Sequence, residues 1–150
     1  MADPAILERL RREVSLEAYR RVRELWKAHS LAEDKRDIGG LLATLTEDCV
    51  YEIVSTGDVW TGHEGAATFY RQLLTAFPDI AFELTDIVIG PQGVCEEATV
   101  TATHREQWLR FPASGKRVRF RVAIFFPWDP EREKFKGEKV YLETGSTLRA

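Results

Sequence analysis

The chain is poor in cysteine: two among 150 residues, Cys49 and Cys95. Their separation fits no metal-binding spacing, and two cysteines do not make a disulfide framework. Free thiols in a reducing, cytoplasmic compartment are the expectation. No apolar run nears the roughly 20 residues that a membrane-spanning helix needs. The opening Met-Ala-Asp-Pro-Ala-Ile-Leu-Glu-Arg lacks the apolar core of a secretion signal. Positive charge is not in excess: 21 Lys and Arg stand against 24 Asp and Glu, a net charge of −3. A general nucleic-acid binder should be clearly basic, so neither nucleic acid nor membrane is expected as a partner. The three histidines, His29, His63 and His104, are too dispersed for a zinc signature. No glycine-rich loop runs into Lys-Ser/Thr, and no Gly-x-Ser-x-Gly elbow occurs. No metal and no cofactor is therefore expected.

What is present is globular. Hydrophobic residues make up 44% and charged residues 30%, enough for one core in one domain spanning 1–150. Asp3-Pro4 reads as a helix start, an N-cap oxygen followed by a residue with preset φ. Apolar residues then recur with helical spacing at Ile6, Leu7, Leu10, Val14, Ala18, Val22, Leu25, Trp26 and His29. Ser15 can recap the chain and divide this run in two. A polar turn is expected over 29–37, then a short helix with Ile38, Leu41, Leu42 and Leu45 on one face.

After Thr46 the period changes to two, and a strand is expected over 49–55. Gly62–Gly65 leads into a third helix with apolar Ala66, Phe69, Tyr70, Leu73, Leu74 and Phe77, stopped by Pro78. Strands are then expected over 80–89, 94–110, 116–126 and 139–144, with a charged connection over 127–138. Helices, one strand, a helix and a meander of strands make an α+β plan, with helices on one face of a largely antiparallel sheet.

Strand parity sorts 94–110 into two faces. Val94, Glu96, Ala98, Val100, Ala102, His104, Glu106 and Trp108 form the apolar one. A turn over 111–115 would set Trp108 opposite Val118, Glu106 opposite Phe120 and His104 opposite Val122. His104 and Glu106 would then project from an apolar surface about 6.6–7 Å apart. Ionisable groups buried alone are costly, so they must pair, find another polar group, or line a wet cavity. Two readings stand: a satisfied core pair without chemistry, or a pocket wall. His63 reads as a solvated or capping residue, His29 as a helix-end residue complementing the dipole, and the Arg117/Arg119/Arg121 stripe as a solvated or dimer-facing surface.

Several stretches together bear a family pattern. Thr103-His104, followed by Pro112 and Ala-Ser-Gly-Lys-Arg-Val, resembles the "Gly-Thr-His … Pro-Pro-Thr-Gly-Lys" signature of the SnoaL-like polyketide cyclases, within the nuclear transport factor 2-like superfamily. Leu42–Asp48 with Val50-Tyr51-Glu52, Gly62–Tyr70, Phe77-Pro78-Asp79 and Gly137–Gly145 are similar to family segments in family order. The likeness covers roughly residues 20–148.

The resemblance implies a cone, a curved sheet wrapped around N-terminal helices with an internal pocket, and a homodimer through the outer sheet face. It implies proton-transfer chemistry without metal or coenzyme on a small apolar carbonyl compound. By position His104 matches the family's pocket histidine. The cyclases carry their acid on the strand after the histidine turn, and here 118–126 contains none. Glu106 is then the candidate base with His104 as its hydrogen-bonding partner or acid; Glu52, Asp86 and Glu143 are further candidates. Trp108, Tyr51, Trp26, Tyr70, Phe120, Val122 and Glu143 are the expected ligand contacts. A non-catalytic binding or scaffolding role on the same fold is the alternative.

Overall fold

The computed structural model describes residues 1–143. Helix α1 (Pro4–Leu10) starts where Asp3 accepts a hydrogen bond from the Ala5 N–H, and α2 (Leu16–Asp34) where Ser15 accepts from Ala18. The serine does divide the N-terminal helical run. Helix α2 then continues through the stretch expected to be a turn, because Ala32 and His29 are buried on its inner face. Asp37 caps α3 (Ile38–Ala43). Strands β1 (Leu45–Ile53) and β2 (Asp58–Thr61) form a hairpin, and α4 (Gly62–Ala76) follows. Strands β3 (Ala81–Gly90), β4 (Gly93–Thr103), β5 (Arg117–Asp129) and β6 (Lys134–Leu142) complete the fold.

The six strands form one curved, unclosed sheet in the order β2-β1-β6-β5-β4-β3. Every pairing is antiparallel except β1 with β6. Register shifts interrupt β1/β6, β3/β4 and β5/β6; such bulges bend strands and raise local twist. Gly137 sits at the first of them with φ +118, where any Cβ would overlap the Val50 carbonyl. Helix α2 packs on β3 and β4, and α4 on β1 and β2. The core between them contains Val22, Tyr51, Tyr70, Phe77, Val100 and Phe135. Cys49 is buried, its thiol pushed up to about 11 chiefly by that burial, and both cysteines are free.

Two expectations are corrected. The charged stretch 127–138 is largely strand, because Phe135 and Gly137 are buried in β6. And β4 ends at Thr103, seven residues before the expected 110. Ala102 faces Val118, Val100 faces Phe120 and Ala98 faces Val122. The pairing has slid by an even number of residues, so the apolar faces still match while the partners differ. The cause is local. The Arg105 and Glu106 N–H groups both donate to the Ala76 carbonyl at the end of α4, at 2.8 and 3.4 Å. The chain is drawn off the sheet, and a tight turn closed by Trp108 and Phe111 replaces the last strand residues.

Candidate functional site

The inward stripe of α2 recurs at Val22, Trp26, His29 and Glu33, a helical spacing that brings two polar rings and a carboxyl to the concave sheet. From the sheet, β6 contributes Glu138 and β1 contributes Tyr51; α4 contributes Tyr70. Glu138 is 5% exposed, and its Oε1 gathers three partners: Tyr70 Oη at 2.8 Å, His29 Nε2 at 2.9 Å and Tyr51 Oη at 3.1 Å. The two phenol oxygens are also 2.9 Å apart. Burial and the nearby Glu138 push both phenols well above the ordinary tyrosine range, so they remain donors.

Hydrogen-bond geometry assigns the histidine's protons. Thr44 Oγ1 donates to the Leu41 carbonyl at 2.7 Å, so its one hydrogen is committed. Its oxygen must then accept from His29 Nδ1–H, at 2.6 Å. Nδ1 carries a proton, and Nε2 lies within hydrogen-bond distance of both Glu138 Oε1, at 2.9 Å, and Tyr70 Oη, at 3.1 Å. Glu138 Oε2 makes no hydrogen bond among the described residues.

Glu138 also lines an internal cavity of about 30 Å³. Its walls are apolar, from Phe69 and Leu73 of α4, Val100 of β4, Phe120 and Val122 of β5, and Trp108; Glu33 is the second carboxyl in the lining. Burial first, then the charges of Glu138 and Glu96, hold Glu33 well above the usual carboxylate range. A third carboxyl lies near: Glu96 accepts from Trp26 Nε1 at 2.7 Å, and burial and Glu138 push it up to about 7. Among the described residues no group of three or more His, Cys, Asp or Glu is arranged to hold a metal.

The structure distributes the expected site residues unevenly. Tyr51, Tyr70, Trp108, Phe120 and Val122 converge on the cavity or on its carboxyl, and Trp26 is one shell behind through Glu96. His104 and Glu106 do not meet there. Glu106 is exposed because the chain has left the sheet before it. His104 is 1% exposed, stacks on Phe77 at 4.7 Å between centroids, and leaves Nε2 without a partner. Burial lowers its pKa, against the main chain of Glu106. Glu143 is exposed beside Arg121.

Sequence reasoning passed over His29, Glu33 and Glu138. His29 and Glu33 lie on the apolar stripe of α2, which was a readable signal. Glu138 was masked by its neighbours Lys136 and Lys139, and by Gly137, whose bulge breaks the alternation.

The profile of the SnoaL-like polyketide cyclases matches residues 16–141. The chain belongs to the SnoaL-like polyketide cyclase family. Solved SnoaL-like relatives share the fold at low identity. A Jannaschia protein described as a SnoaL-like polyketide cyclase superposes with a TM-score of 0.73 at 16% identity, covering 93% of this chain and 96% of that one. A Pseudomonas putida protein described as a polyketide cyclase gives 0.70 at 22%, covering 85% and 96%. A Catenulispora acidiphila protein of ketosteroid isomerase-like fold, solved with trimethylamine, gives 0.69 at 15%, covering 84% and 90%. No curated protein matches the sequence. Within the SnoaL-like frame, this chain's cavity acids come from α2 and β6, and β5 places none among the cavity-lining residues.

Proposed function

We propose that the protein is a cofactor-independent acid–base catalyst of the SnoaL-like family, acting on a small, largely apolar carbonyl compound whose reacting carbon enters the cavity. The observation that carries this reading is Glu138, a buried carboxyl that lines an apolar cavity and gathers two phenols and an imidazole on Oε1, while Oε2 makes no hydrogen bond among the described residues. Glu138 Oε2 takes a proton from the carbon next to the carbonyl. The C–H electron pair passes to the enolate, and the proton returns to carbon or leaves by way of the acid. Glu33, whose carboxyl is held well above the usual carboxylate range chiefly by burial, is the second acid at the cavity. Two carboxyls in different environments are the candidates for base and acid, the roles that the family resemblance suggested for Glu106 and His104.

The test needs no knowledge of the natural substrate. The exchange of α-hydrogens of 2-butanone and acetophenone for deuterium is followed by proton NMR at neutral pH. Exchange well above the buffer rate, lost in Glu138→Gln, supports the reading. Binding of both ketones without exchange above buffer sinks the catalytic reading and favours the alternative, a binding protein of the same fold.

A further inference from the structure

Trp108 lines both the inner cavity and a second hollow, an open surface groove of about 670 Å³. The inner cavity, about 30 Å³, has room for one or two waters, since one water needs roughly 10–15 Å³ of such space. It is too small for an organic molecule of more than a few atoms. The groove is bounded by Asp58, Trp60, Arg71, Gln72 and Gln107. Trp108, which contributes to both linings, is 3% exposed, and its Nε1–H finds no acceptor among the described residues. Buried donors without partners are rare in native proteins and ask for an explanation.

The backbone around this indole is also unusual. Reciprocal hydrogen bonds of 3.0 and 2.8 Å between Trp108 and Phe111 close a tight turn. Within it Leu109 takes φ +53, a left-handed conformation that costs a leucine energy. Strain of this kind persists where the surroundings impose it, and it gathers at ligand clamps and switch regions. An orphaned donor, a strained neighbour and a shared wall thus coincide within two residues.

We propose that the groove and the inner cavity are one binding site divided by the Trp108 indole, which swings aside to admit an elongated carbonyl compound. The apolar end enters the cavity, the carbonyl oxygen accepts from Trp108 Nε1–H, and a polar tail lies in the groove. The chemistry of each part selects the ligand. The cavity walls are hydrocarbon, the orphaned N–H wants an acceptor, and Arg71 makes no ion pair or side-chain hydrogen bond among the described residues, so it is free for a carboxylate tail. A keto acid with the ketone at one end and the carboxylate at the other satisfies all three. The proposal rests on the reading of the cavity as a ligand site.

The probes are 7-oxooctanoic acid and 2-octanone, the same chain without the carboxylate. Each is titrated into ¹⁵N-labelled protein while the Trp108 indole N–H, assigned by its loss in Trp108→Phe, and the His29 ring signals are followed together. A saturable downfield shift of the Trp108 indole proton together with a change at His29 is expected. The keto acid should bind up to about fivefold more tightly, the worth of an exposed ion pair, and Arg71→Gln should abolish that advantage. A response at His29 with the Trp108 indole unmoved overturns the gate and leaves the cavity reading standing. A response at Trp108 with His29 silent overturns both the single site and the cavity reading, as does silence at both residues up to the solubility of the probes. The decisive spectra are those of the wild-type protein, so they do not depend on how Trp108→Phe folds.

Discussion

His29 Nε2 lies 2.9 Å from Glu138 Oε1, and the opposite ring nitrogen is fixed as a donor by Thr44. A helix residue and a strand residue 109 positions apart in the chain thus meet in a buried site. Removing the acid should separate chemistry from folding. Glu138→Gln keeps an acceptor for the two tyrosines but cannot take a proton from carbon. We expect α-hydrogen exchange to fall by about 10²–10⁴, the usual worth of a placed general base, and stability to fall by about 1–3 kcal/mol. Unchanged exchange by NMR would place the base elsewhere.

Thr44 acts on this pair through His29. Thr44→Val removes the acceptor for Nδ1–H and should cost about 1–3 kcal/mol, as expected for a buried donor left unpaired. Thr44→Ser should restore it. The imidazole nitrogen shifts in ¹⁵N NMR report which nitrogen carries hydrogen. A His29 spectrum identical in wild type and Thr44→Val would mean that the hydroxyl does not set the tautomer.

Glu96 makes stability depend on pH in the sense opposite to an ordinary salt-bridged acid. Burial and Glu138 raise it from 4.5 to about 7, against the Trp26 hydrogen bond. Glu33, raised by burial and by the same neighbours, acts in the same sense. In that window the folded state holds a proton that the unfolded state has lost, so stability falls as pH rises. The loss should approach about 3 kcal/mol for Glu96 between pH 5 and 8. Urea titrations of Glu96→Gln should show a shallower slope and a variant more stable than wild type at pH 8; equal slopes would refute the assignment.

His104 tests whether the pocket histidine implied by the family resemblance does chemistry here. It is stacked on Phe77 with one nitrogen unpartnered. His104→Phe should keep the stack, remove the orphaned polar atom, and leave stability within about 1 kcal/mol, with α-hydrogen exchange unchanged. Burial lowers the folded pKa of His104. Its contribution is therefore present above the unfolded value of 6.5 and lost as pH falls below it; the phenylalanine variant should lack that acid-side loss. A drop in exchange with stability intact would return His104 to the catalytic set.

The outer sheet face is polar at Arg119 and Arg121 but carries exposed Val50, Val88, Phe125 and Tyr141 around one groove. Phe125 and Tyr141 pack edge to face at 5.9 Å. A second copy of the chain covering this patch would explain it. Sedimentation should show a dimer at micromolar concentration, converted to monomer by Phe125→Arg; a wild-type monomer would end this expectation.

The order of elements apart from β2, and the apolar face of β4, were legible in the sequence. They rest on local rules: capping at Asp3 and Ser15, alternation along a strand, and the stop at Pro78. The family resemblance added the curved sheet. The site's acids were only half legible. His29 and Glu33 follow a helical stripe that a sequence displays, yet nothing in the sequence tells that stripe's polar members which strand they will meet. Glu138 lies in a run of charges where a single glycine bulge shifts its side chain from the solvent side to the core. Glu106 shows the reverse. Its parity with Val100 and Ala102 predicted burial, but two N–H groups found the free carbonyl at the end of α4, and the chain turned away. Alternation holds only while a strand keeps its ladder, and where the ladder ends is decided by partners distant in sequence.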